Sequence, residues 1–287
     1  MRKFLLYNES GEQKQLQGGN VFLQTPEGLG FENDIEYMQS GGYFVPTSDA
    51  QAQVEKTGVL VFTGNGYQEY QDLMNWMLSA QKLILAYNPT NTWYYQHIAV
   101  RSIEKSEMRL NGHILEVPVA FLPLSPIYST YDLNIGVPSQ SVQSAKEYTY
   151  TYPYTYSNSG VAGLVTFTAS AQMDCDWEIE LDGAISAPAV TVTRNDTNET
   201  IGRVDLTATS AQAGEKIIYN TIAGTAGAVL IDANNDEMDL TPYLGLQTGL
   251  PTYFRIPANV SCSLQVSATS LVGLQAKVTV YRYYRTV

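Results

Sequence analysis

Most of this chain reads as short strand-like runs separated by turns, and the one convincing helical pattern lies within 54–87, its residues running from Gln68 to Ser79. There Tyr70, Leu73, Met74, Met77 and Leu78 follow the i, i+3, i+4, i+7, i+8 spacing of a buried stripe. Gln68, Gln71, Asp72, Asn75 and Ser79 fall on the opposite side. Gly64-Asn65-Gly66 breaks the preceding strand, and the pattern predicts that Asn65 caps the helix while Gln68 reaches back in a capping box. Strand candidates flank it at 54–62 and 82–87, so the helix is expected to cover a sheet.

Before the helix, short strands are predicted at 4–7, 21–24 and 43–45, separated by glycine-rich turns. After it, 93–103 and 113–122 read as a hairpin joined through Asn111-Gly112 or a slightly longer loop. In the second arm Leu115, Val117, Val119 and Phe121 share one face, which makes the sheet buried on one side. Pro118 removes a ladder donor and predicts an edge or a bulge. Three prolines within 123–140 mark a change of domain, placed between 1–131 and 132–287, with a linker and a tyrosine-rich strand at about 132–157. In that strand Tyr148, Tyr150, Tyr152, Tyr154 and Tyr156 occupy every second position, so all five project to one side of an extended chain. They suit either a sugar-stacking platform or packing against a neighbouring domain or subunit. The rest is strand-like at 190–193, 215–219, 229–232, 253–256, 263–268 and 277–284, with frequent turns. The fold class is therefore mainly β, with one packed helix in the first domain and an antiparallel sandwich in the second.

Composition narrows the function. Charged residues make up only 15% of the 287, and the net charge is −12. Nucleic-acid binding relies on Lys and Arg to neutralise phosphate, so a polyanion is not expected as the main partner. The two cysteines, Cys175 and Cys262, have no metal-ligand spacing and read as small strand residues, with a disulfide open as the alternative. The first residues lack the apolar core of a secretory signal, and no run reaches the ~18–20 apolar residues of a membrane span. Synthesis in the cytoplasm follows as the expectation, and with no secretory signal the four Asn-x-Ser/Thr sequons, at Asn8, Asn195, Asn198 and Asn259, carry little weight.

The catalytic inventory is thin. His97 and His113 lie on opposite arms of the predicted hairpin, with no third ligand or nucleophile indicated. In 174–182, Asp174, Asp176, Glu178, Glu180 and Asp182 alternate with Cys175, Trp177, Ile179 and Leu181. A glycosidase or a Ca²⁺ site would use such carboxylates, but a strand with one wet face gives the same pattern and is preferred. Asp232-Ala233-Asn234-Asn235-Asp236 begins like a calcium-binding loop. It has Glu237 where a Gly is needed and Tyr243 where a Glu is needed, and so reads as a turn. Gly64-Asn65-Gly66 lacks the remainder of a nucleotide motif. No catalytic, cofactor-binding or metal residue is assigned, and the chain is not expected to be an enzyme.

The order of these segments resembles the distal tail proteins of long-tailed bacteriophages. Phe4-Leu5-Leu6-Tyr7-Asn8, Pro26-Glu27-Gly28-Leu29-Gly30-Phe31, the strand–helix–strand unit at 59–87 and Pro123-Leu124-Ser125-Pro126-Ile127-Tyr128 are similar to that family's N-terminal part. Tyr152-Pro153-Tyr154-Thr155-Tyr156, Gly214-Glu215-Lys216-Ile217, Asp239-Leu240-Thr241-Pro242-Tyr243, Tyr253-Phe254-Arg255-Ile256-Pro257 and Tyr281-Arg282-Tyr283-Tyr284-Arg285 resemble its C-terminal part. Pro257-Ala258-Asn259-Val260 departs from it, where a longer glycine-containing turn is expected. The resemblance implies a tail-tube-like split β-barrel or sandwich with its helix, followed by a galectin-like sandwich. It also implies a hexameric hub ring at the virion tail tip, structural and without catalytic residues. The partners it implies are further copies of the chain, the tail-tube protein, a tail-tip hub, fibre or lysin protein, and in some members a receptor-binding protein or cell-surface saccharide. A carbohydrate-binding sandwich acting in host adhesion is the alternative function. In a ring, the polar side of the helix from Gln68 to Ser79 is expected to meet a neighbour.

Overall fold

The computed structural model describes residues 2–105, 109–110, 114–135, 160–245 and 249–287. The tyrosine-rich strand, His113 and the turn at Asn111-Gly112 lie outside these residues. The chain divides into two compact units, Met1–Ser129 with Tyr283–Val287, and Thr130–Arg282.

The first unit contains β1 (Lys3–Asn8), β2 (Gln13–Gln15), β3 (Gln17–Gly18), β4 (Val21–Glu27), β5 (Asn33–Ser40), β6 (Tyr43–Gln51), β7 (Lys56–Phe62), α1 (Gly66–Ser79), β8 (Leu83–Asn88), β9 (Tyr94–Ile103), β10 (Arg109–Leu110) and β11 (Ile114–Pro123). β12 (Ile127–Ile135) begins in it. All pairings are antiparallel and run β2-β1-β8-β9-β11-β7-β4-β3. The two ends of that order are consecutive in sequence and meet at Leu16, which is fully buried. Its N–H donates to the Phe4 carbonyl at 2.9 Å, and its carbonyl accepts from the Leu23 N–H at 2.7 Å. The sheet thus curls until its edges share one residue, leaving few open edges.

Inside the curl lie Phe4, Leu6, Leu60, Phe62, Leu85, Leu115, Val117, Val119 and Phe121, with Leu73, Met74 and Met77 of α1 packed on them. Full burial of each such side chain contributes about 1.5–3 kcal/mol. Two helix expectations fail. Leu78 is 75% exposed, because it sits about 100° further round the helix than Met77 and outside the stripe centred between Leu73 and Met74. Asn65 occupies the N-cap, but its side chain makes no capping bond, and Gln68 Nε2 donates instead to Asp72 Oδ1 at 2.8 Å, one turn along. β11 is an interior strand, not an edge. Its ladder to β9 starts at Val119, and a bulge falls between Ala120 and Phe121, two residues beyond Pro118.

The second unit adds β13 (Gly160–Thr168), β14 (Met173–Ser186), β15 (Ala189–Arg194), β16 (Thr200–Asp205), β17 (Ser210–Ala211), β18 (Lys216–Asn220), β19 (Gly227–Ile231), β20 (Glu237–Asp239), a 3-10 turn at Thr241–Tyr243, β21 (Ser261–Ala268) and most of β22 (Ser270–Tyr284). One sheet contains β20-β19-β18-β14-β22 and the other β13-β21-β15-β16. Between them pack Trp177, Ile179, Leu181, Tyr219, Val190, Val192, Val204, Leu264, Val266 and Val278. Residues 253–256 do not form the expected strand. Only Ile256 bridges to Cys175, while Phe254 turns into the core to meet Trp177 at 5.3 Å between ring centroids. Cys175 and Cys262 are buried core thiols that do not form a disulfide. Among the described residues the fold is, as expected, mainly β with a single packed α-helix.

Candidate assembly surfaces

Among the described residues, β5 and β6 pair only with each other and form a separate two-stranded sheet. They are joined by Gly41-Gly42, whose φ values of +56° and +87° fit a two-residue hairpin turn open to glycine. The root is closed by the Ala52 N–H donating to the Glu32 carbonyl at 2.8 Å. Register places Met38 opposite Val45 and Gln39 opposite Phe44, so both faces of this arm carry large apolar side chains. Tyr43 and Phe44 are 78% and 71% exposed, and Tyr37, Met38 and Val45 are exposed too. A lone two-stranded hairpin is at best marginally stable in water, and this one shows apolar surface on both sides. Sequence reasoning found a strand at 43–45 but not the arm. The signal was Gly41-Gly42 between two segments able to extend as strands.

The outward side of α1 is a second exposed surface, formed by Gln68, Gln71, Asp72, Asn75, Leu78 and Ser79. A third feature lies beside the root of the arm. Gly30, Gln51, Val54, Lys56, Ser125 and Arg285 are among the residues around a cavity of about 270 Å³. Lys56 is only 5% exposed, and its ammonium donates to the carbonyl of Gly28. Gly28 has φ +72°, and a Cβ there would overlap the Glu55 carbonyl, so the tight turn that delivers this carbonyl requires glycine. Burial pushes the Lys56 pKa below the ordinary lysine value.

The residues singled out for chemistry are used structurally. His97 stacks on Tyr128 with centroids 5.6 Å apart, and its Nε2 lies 3.5 Å from the Tyr128 hydroxyl. Burial, and then the charge of Lys82, lowers the His97 pKa, while burial followed by Tyr95 raises that of Tyr128 to about 12. The carboxylate strip on β14 is not one wet face. Asp174 and Asp182 are exposed, but Asp176 is only 1% exposed, and Arg255 Nε donates to it at 2.9 Å. Glu178 is half-buried; burial first, and then Glu180, raises its pKa, with Lys277 opposing. Glu180 faces Lys216 at 3.5 Å. The loop at Asp232 is a turn in which Asp232 Oδ1 accepts the N–H groups of Asn234 and Asp236 at 2.8 and 2.9 Å. Among the described residues no three His, Cys, Asp or Glu side chains come together as a metal site, and no helix is long and apolar enough to cross a membrane.

Residues 3–124 match the family model of the distal tail protein, N-terminal domain. Among solved structures, the chain is similar to one from the phage P2 baseplate in its activated conformation with Ca, at 16% identity and a TM-score of 0.70, covering 100% of each chain. It is also similar to the SPP1 Dit protein, described as a paradigm of the hub adsorption apparatus in phages infecting Gram-positive hosts. There the identity is 9% and the TM-score 0.60, covering 97% of this chain and 98% of that one. At these identities the likeness shows the fold. Among curated proteins no match is found.

Proposed function

Because residues 3–124 match the model of the distal tail protein N-terminal domain, we propose that the chain is a structural phage tail protein of that family and forms a closed ring of six copies at the tail tip. The ring would join the tail tube to the tip or receptor-binding apparatus. The observation that carries this reading is the β5–β6 arm, whose two apolar faces have no cover within the described residues of the chain. An arm on one side of a subunit that docks on a different surface of the next makes a head-to-tail contact, and such contacts form a ring when the rotation between neighbours closes. Ring contacts would cover the arm, and they accord with a charged fraction of only 15%. The second unit would be a galectin-like sandwich, and the ring faces would meet the tail-tube protein and a tip, fibre or lysin protein. The tyrosine strip behind the carbohydrate-binding alternative lies outside the described residues, and no other observation favours that alternative.

Sedimentation and negative-stain imaging of the purified chain test the ring. Six-fold annular particles are the expected result. A particle that stays monomeric at high concentration overturns the reading.

A further inference from the structure

The cavity at the arm's root has a described lining suited to an anion. Its described lining holds two cationic side chains, Lys56 and Arg285, and no Asp or Glu, in a protein whose acidic residues outnumber its basic ones 28 to 16. No carboxylate lies within ion-pairing distance of Lys56 among the described residues; the partner of its ammonium is the neutral carbonyl of Gly28. Burying a cation without a counter-charge is costly, and a carboxylate brought into the same low-dielectric space recovers that cost. At about 270 Å³ the cavity falls just below the range of roughly 300–1,000 Å³ in which drug-sized ligands bind, so it suits a group the size of a side chain.

The complementary surface is the arm. Residues 31–52 contain Glu32, Asp34, Glu36 and Asp49 and no Lys or Arg. Glu32, Asp34 and Glu36 are exposed along the stem, below the apolar tip. We propose that this cavity receives a carboxylate from Asp34 or Glu36 on the arm of a second copy, so that Lys56 and Arg285 set the register of head-to-tail assembly. This inference rests on the ring reading and specifies its contact. The apolar tip would supply contact area, and the buried charge pair would supply direction, since a mispositioned arm leaves Lys56 without its counter-charge.

The test pairs a cavity variant, Lys56→Met, with an arm variant, Asp34→Asn/Glu36→Gln, each followed by sedimentation beside the unmodified chain. Each alone should associate about tenfold or more weakly while unfolding like the unmodified chain. Mixed in equal amounts, the two retain one good arm and one good cavity between them, so 1:1 heterodimers should form and growth should stop there. Should Lys56→Met fail to fold, Arg285→Gln replaces it as the cavity variant. Rings from either variant, or a mixture that stays monomeric, would overturn this contact while leaving the ring reading standing. A monomeric unmodified chain would overturn both.

Discussion

The β5–β6 arm and strand β14 are both antiparallel and both rich in large apolar side chains, but their surroundings are opposite. On β14 every second residue from Cys175 to Leu181 is buried between two sheets, and Trp177 alone touches Tyr219 and Phe254. On the arm, Tyr37, Met38, Tyr43, Phe44 and Val45 are all exposed. Apolar content by itself therefore does not identify a core. What separates the two strands is a second layer, supplied on β14 by core residues from strands distant in sequence and missing from the arm among the described residues. Where a layer is missing within a subunit, another copy is the simplest source of one.

The sharpest way to break the comparison is at its buried end. Trp177→Ala removes a fully buried indole and the bond from its Nε1 to the Phe254 carbonyl at 3.1 Å. The expected loss is about 3–5 kcal/mol, read from the urea midpoint by circular dichroism. A loss below 1 kcal/mol would mean that the two sheets do not depend on this contact.

Next comes the charge beside it. Arg255→Ala withdraws the cation from Asp176, which keeps the distant acceptor contact with the Thr221 hydroxyl at 3.5 Å. Since the arginine is half-exposed, water replaces part of what is lost, and a destabilisation on the order of 2 kcal/mol is expected. Arg255→Lys should recover only part of it, because a single ammonium matches the carboxylate less well. An unchanged midpoint would show that Asp176 needs no counter-charge.

Sequence reasoning located the helix, most strands and the dry face of β14, because each is written in local periodicity. It placed Asp176 on a wet face because its partner, Arg255, is 79 residues away, and no spacing rule reports such a meeting. Leu78 was assigned to the buried stripe because the i+8 position drifts sideways, a small angular error that becomes a whole side chain at the helix end. The Asp232 turn was legible, since a calcium loop needs residues that are visibly missing. The arm was only half legible. Its strand character is local, but whether anything lies over it is a property of the assembled layers. Lys56 gave no signal at all, because one lysine at the start of a strand looks like any solvated cation.

A smaller effect, also on β14, separates packing from charge. Burial raises the Glu178 pKa in the folded state, so folding favours the protonated form. That contribution is fully present below the ordinary glutamate value of about 4.3 and is lost as pH rises through the folded pKa. At neutral pH the ionised side chain thus carries a penalty that glutamine does not. Glu178→Gln should stabilise the second unit by under about 1 kcal/mol at pH 7, with the gain disappearing below about pH 4. Equal gains at both pH values would assign the effect to packing instead of ionisation.

The smallest effect on stability is expected at the exposed end of the comparison. Tyr43→Ser with Phe44→Ser trims side chains that are 78% and 71% exposed, one on each face of the arm. Nothing beneath them loses a contact, so unfolding should shift by no more than about 0.5 kcal/mol. Assembly should respond quite differently, because aromatic side chains buried at an interface carry a disproportionate share of its energy. The unmodified chain and the variant, compared by sedimentation at equal concentration, should differ in particle mass while their unfolding curves overlay. If instead the variant unfolds easily, the arm is already packed within the subunit, and its exposed aromatics no longer argue for a neighbour. If neither curve nor mass changes, the tip has no role in assembly and the contact lies on the stem. A change in mass alone ties the arm to the ring, since the same substitutions on β14 could not leave folding untouched.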